Sequence, residues 1–167
     1  MKWLIIVFVV MSLIGSVMWV MPTPRQRFQA QLRLRARKLG FQVQLVKLQL
    51  PRQRGEVEAE TLDIPAYRML RSNLSREERD GWRNWQMFRG ETLANTGLAP
   101  GWSWIRGERT LSETALSQVN RLLEQLPSDV VALESSPVHV TAFWQEGEDA
   151  DLERIAELLK SMIDARV

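Results

Sequence analysis

The chain has 167 residues, with 22 Lys+Arg against 20 Asp+Glu, one His, seven Trp and no Cys. That length suits one compact domain with an appendage. The composition excludes a disordered chain, a collagen-like repeat and a multi-span membrane protein. Without cysteine there are no disulfides, no thiol catalysis and no cysteine-ligated zinc or iron–sulfur cluster. The net charge of +2 averages two opposite parts. Residues 22–54 carry nine basic groups and no acid, whereas 55–167 carry twelve basic groups against twenty acidic ones.

Trp3 to Met21 is uncharged and apolar except for Ser12, Gly15 and Ser16. As a helix it would extend ~28 Å, close to the hydrocarbon thickness of a bilayer. Trp3 and Trp19 stand near its ends, where indole rings prefer the interface. Pro22 and Pro24 stop the run. A cleaved signal peptide is the competing reading, but the run is long for one and Trp19-Val-Met-Pro22 is a poor cleavage site. The expectation is therefore a transmembrane anchor over residues 1–21.

Charge sets the expected orientation. Arg25, Arg27, Arg33, Arg35, Arg37 and Lys38 follow the span, then Lys47, Arg52 and Arg54, and no acid precedes Glu56. Basic residues near a span stay in the cytoplasm. The expected location is a bacterial inner membrane, single-pass, with the N-terminus outside and the C-terminal domain cytoplasmic. The first six of these cations, with Trp3 and Trp19, are the candidate contacts to lipid, chiefly anionic headgroups.

Residues 22–40 read as a basic juxtamembrane helix. Phe28, Leu32, Ala36 and Leu39 recur on one side, and Gly40 suits the position after the helix. Phe41-Gln-Val-Gln-Leu45 alternates with period two and, extended to Leu50, is the clearest strand. Pro51 to Gly55 breaks it. The acidic stretch 56–63 reads as a loop, and Ile64 to Leu70 as a short strand with Pro65 at its start. Ser75 and Glu78 have capping-box spacing for a short helix. Trp82 to Arg89 fits either element and is read as a strand because of its aromatics and flanking glycines. Residues 90–101 carry turn chemistry, and Trp102 to Arg106 alternates as another strand.

Thr110 and Glu113 have capping-box spacing ahead of a leucine-rich helix ended by Pro127. Val130 to Glu134 and Val138 to Gln145 read as paired strands about Ser135-Ser-Pro137. Asp149 suits the cap of a last helix. The predicted class is α+β. A transmembrane helix and the basic helix precede a 41–167 domain, in which a mostly antiparallel sheet carries two C-terminal helices on one face.

No constellation discloses a reaction. His139 is the only histidine and cannot build the usual zinc site alone. There is no nucleophile elbow, P-loop or dinucleotide fingerprint. Trp102 and Trp104 share one strand face and are the candidate binding surface, although paired aromatics most often pack in a core. Glu134 and Glu146 flank the predicted hairpin and could face each other as an acid–base pair. The acidic body argues against nucleic acid as a partner, and no cofactor is implied.

The span, Pro24-Arg-Gln-Arg27 and the helix to Lys38 resemble the opening of YajC, an accessory subunit of the bacterial protein translocase. The resemblance covers about the first quarter of the chain. It ends at Gly40, where that family's Gly-Asp-x-Val-x-Thr-x-Gly-Gly turn is missing. The whole also looks like membrane-tethered proteins of proteobacteria. The expectation is a non-enzymatic interaction or accessory module of an inner-membrane complex with a protein partner. The alternative is a membrane-tethered hydrolase or ligand-binding domain that uses the tryptophan-rich region and Glu134/Glu146.

Overall fold

The computed structural model describes residues 2–20, 22–52 and 59–167, with the backbone alone at 17–20. It divides into two compact units, Met1–Gln31 and Leu32–Val167.

In the first unit, helix α1 spans Lys2–Val20. Its apolar side chains are exposed, Trp3 at 79% and Phe8 at 75%. Among the described residues no helix is long and apolar enough to cross a membrane. The expected span ends at Met21, and the side chains from 17 to 21, Trp19 included, lie outside the described residues. Helix α2 (Pro24–Lys38) begins with a capping box that the prolines mask in the sequence. Thr23 Oγ1 accepts from the Gln26 N–H at 3.3 Å, and Gln26 Oε1 accepts from the Thr23 N–H at 2.9 Å. Pro24 is thus the first residue of α2, where its missing N–H costs nothing.

The second unit is α+β, built on a six-stranded antiparallel sheet. The strands are β1 (Phe41–Gln49), β2 (Thr61–Leu70), β3 (Trp85–Arg89), β4 (Trp102–Arg106), β5 (Val130–Ser135) and β6 (His139–Trp144), in the order β1-β2-β6-β5-β3-β4. Gly40 (φ +93°) makes the turn from α2 into β1 in a conformation that favours glycine. The β5–β6 hairpin forms as expected, with Ser135 opposite Val140. The short helix α3 (Arg76–Asp80) has its Ser75/Glu78 capping box.

Four local expectations are corrected. Strand β2 starts at Thr61, inside the segment read as a loop; residues 53–58 of that segment and of the preceding turn, Arg54 and Gly55 among them, lie outside the described residues. Pro65 therefore sits in mid-strand. The β6 ladder begins only at Ala66, so the sheet is one-sided at the proline. The strand read over 82–89 covers only Trp85–Arg89. Helix α4 (Glu113–Leu123) is capped by Ser112, not Thr110: Ser112 Oγ accepts from the Ala115 N–H at 3.2 Å. Helix α5 (Asp151–Asp164) has no side-chain cap, because Ala150 and not Asp149 holds the cap position, and Asp149 pairs with Arg35.

Alternation divides the sheet into two faces. One carries Tyr67, Ala142, Leu133, Met87 and Trp104 in register. Tyr67 meets Phe41 and Trp144 edge-on, at ring separations of 5.6 and 5.1 Å. Leu32 and Ala36 of α2 and the apolar stripe of α5 are buried, and α5 packs on β6. The other face holds a second core: Leu48, Leu50, Ile64, Ala66, Phe88, Ala132 and Phe143, flanked by Val46 and Ile105. Among the described residues no helix residue belongs to it. Both edge strands contribute, Val46 and Leu48 from β1 and Ile105 from β4, so the sheet curls over this core.

Candidate functional site: the mouth of the curled sheet

One register row on the curled face is polar on every strand. Gln42 pairs with Arg68, Arg68 with Thr141, Thr141 with Glu134, Glu134 with Gln86 and Gln86 with Arg106. The adjacent row (Ala66, Phe143, Ala132, Phe88) is buried and apolar. At the boundary lies a cleft of about 290 Å³, lined by Val46 to Gln49, Arg68, Gln86, Ile105, Arg106, Glu134 and Phe143. Its lining is more polar than apolar, with Val46, Leu48, Ile105 and Phe143 set among charged and amide side chains. Small-molecule sites are usually lined mostly by apolar side chains, and this cleft is not.

The charges are unequal, with Arg68 and Arg106 against Glu134, while Lys47 borders the cleft from the edge strand and lies opposite Asp63 in register. Arg68 donates from Nη1 to Gln44 Oε1 at 2.8 Å, and its buried Nε has no partner. His139 lies on the same face, its Nδ1 3.1 Å from Thr141 Oγ1. Burial pushes the His139 pKa down. The Glu134 carboxylate opposes that, while Arg68 and Arg71 reinforce it. A histidine harder to protonate folded than unfolded leaves stability intact above the free value of about 6.5 and lowers it as the pH falls below that value. Urea titrations from pH 7.5 to 5 should show this loss, and His139→Gln should flatten it.

The expected Glu134/Glu146 pair does not form. Glu134 lies opposite Thr141, whereas Glu146 lies beyond the far end of β6, some five residues or ~17 Å along the strand. Glu146 is 2% exposed and has φ +58°. Arg33 grips it bidentately, Nε to Oε1 at 2.7 Å and Nη2 to Oε2 at 2.9 Å, and the Tyr67 hydroxyl donates to Oε1 at 2.7 Å. Burial first, then the neighbouring carboxylate, pushes the Tyr67 pKa up, so the phenol stays a donor. This carboxylate holds the fold together.

Trp102 and Trp104 share one face as expected, but each is only 4% exposed. Trp104 donates to Thr96 O at 3.1 Å and meets Trp85 edge-on at 6.4 Å. The Arg89 guanidinium lies 4.8 Å over the Trp102 ring. Trp102 also lines a polar pocket of about 410 Å³ in the 91–101 loop. The tryptophan pair is core.

The candidate lipid-contacting cations separate into two sets. Arg25, Arg27, Arg37 and Lys38 are exposed. Arg33 is bound to Glu146, and Arg35 pairs with Asp149 and Glu153 at the start of α5. Arg33 and Arg35 thus bind the domain's own acids. The sequence showed this basic helix and these acids, but not that they lie together. Exposed pairs contribute little, so Arg35→Ala should leave the midpoint of thermal unfolding nearly unchanged.

Among the described residues no group of three or more His, Cys, Asp or Glu could hold a metal ion. Comparison with protein families, curated proteins and solved structures finds no match for this chain.

Proposed function

We propose that the protein is a membrane-anchored interaction module of a membrane complex, and that the mouth of its curled sheet receives a protein partner. The observation that carries the reading is the cleft, where Arg68 and Arg106 outnumber Glu134, on the sheet face whose core holds no residue of a described helix. The uncharged run from Trp3 to Met21 supports an anchor by its length, and the exposed side chains of α1 agree with an apolar surrounding. The basic residues after the run support a cytoplasmic domain. The hydrolase alternative loses its paired carboxylates and its exposed tryptophans; a ligand-binding use of the cleft is kept as an outcome of the test.

Lysine chemistry gives that test. Lys47 lines the cleft, whereas Lys160 lies on α5. Amine crosslinking in native membranes, read by mass spectrometry, should join Lys47 to one recurring protein. Crosslinks through Lys160 alone, or none to any protein, would overturn the reading. For orientation, a C-terminal alkaline phosphatase fusion should be inactive and a C-terminal fluorescent-protein fusion bright. The opposite pattern would place the domain across the membrane.

A further inference from the structure

The two edges of the sheet are treated differently. The short strand β4 is covered by the loop before it: the Trp104 N–H donates to Ala94 O at 2.6 Å, and Ser103 Oγ accepts from the Thr92 N–H at 2.9 Å. Strand β1 has no such cover. Among the described residues none of Phe41–Gln49 makes a backbone hydrogen bond outside its ladder to β2. Nine residues at 3.3 Å give a free edge of about 30 Å. It holds no proline and its register with β2 is unbroken. Lys47 is its only charge, and Leu45 at its middle is 67% exposed. Free edges of this kind are blunted in proteins that do not use them.

The same edge borders the cleft. The side chains of Val46 and Leu48 turn into the curled face, while Leu45 and Lys47 belong to the other. A strand laid against β1 would follow the same alternation. Its inward side chains would meet the rim cations Arg68 and Arg106, with Glu134 as the only opposing acid. Its outward side chains would cover Leu45. We infer that β1 takes an extended segment of a partner protein as a seventh strand, with acidic residues turned to the cleft and apolar ones over Leu45. This rests on the interaction-module reading and specifies its site. Main-chain hydrogen bonds supply affinity in such additions, and alternate side chains supply specificity.

The test uses the full chain in detergent micelles and a fluorescein-labelled ten-residue peptide of alternating Glu and Val. Anisotropy should report saturable binding that weakens as salt rises. A Lys–Val peptide, and a Glu–Val peptide N-methylated at alternate residues, should each bind at least about tenfold more weakly, a loss of ~1.4 kcal/mol. Arg106→Gln, an exposed change that leaves the core untouched, should weaken the acidic peptide alone, as should Arg68→Gln if it folds. Hydrogen exchange should slow in residues 41–49 on binding. No binding at 1 mM peptide, equal binding of the N-methylated peptide, or protection elsewhere would each overturn strand addition. If Lys47 still crosslinks to a recurring protein in the membrane, the interaction module stands and only this mode of docking falls.

Discussion

Glu146→Ala should cost the 32–167 unit about 3 kcal/mol, seen as a fall of ~10 °C in the midpoint of thermal unfolding. The substitution strands the Tyr67 hydroxyl, which is buried, and frees Arg33 from both of its carboxylate bonds. The Arg33 side chain is 39% exposed and can turn to water, which keeps the cost below that of a fully buried cation left unpaired. Arg33→Met should cost at least as much, because it leaves the fully buried Glu146 carboxylate with the Tyr67 phenol but no cation, and Tyr67→Phe should cost about 1 kcal/mol. The backbone supplies a further check. Glu146 has φ +58°, strained for any residue with a Cβ, so Glu146→Gly should be milder than Glu146→Ala by about 0.5–1 kcal/mol. The reverse order would show that the left-handed turn stores no strain and that the network alone holds the site.

The second large effect is expected at Gly107. It follows β4 with φ +83°, and an added Cβ would lie 2.6 Å from Trp85 Cβ and 2.8 Å from both Asn84 O and Trp85 Cα. Two of these are backbone atoms, so relief requires β3 to move away from β4. Gly107→Ala should lose more than about 3 kcal/mol in urea unfolding, combining a forbidden φ with steric overlap. Gly101 is the control. It has φ +82°, with nothing within 4 Å of the added atom. Gly101→Ala should lose only the conformational part, about 1 kcal/mol. Equal losses at the two positions would remove the packing argument.

The strands were legible because period-two alternation survives wherever one sheet face is dry. Phe41 to Leu45, Trp102 to Arg106 and Val138 to Thr141 show it, whereas Val130 to Leu133 is a continuous apolar run. The alternation at Thr61 to Asp63 was hidden by acidic neighbours. Pro65 hid the strand as well, since in sequence it reads as a beginning. Helix caps were read from spacing alone, which cannot separate Thr110 from Ser112 or show that Asp149 is taken by Arg35. The site was less legible than the fold. The polar row from Gln42 to Arg106 needs the register of six strands, and no single segment carries it. Each member sits singly among apolar neighbours and reads as a solvent-facing residue. The pairing of Glu146 with Arg33 spans 113 residues and has no local signature.

That separation has a temporal consequence. Arg33 leaves the ribosome long before Glu146, and the strand that leads to Glu146 is the last of the six. During synthesis Arg33 and Arg35 therefore stand without their acids, and the whole basic helix is available to whatever surface the nascent chain meets. Only when the final hairpin and α5 are made can those two arginines be claimed by the domain. Contacts this distant in sequence form late and slowly. The same side chains can therefore serve twice, first as free positive charge on a growing chain and later as the clasp that closes the finished one. A chain stopped before residue 146 should keep the first role and lack the second.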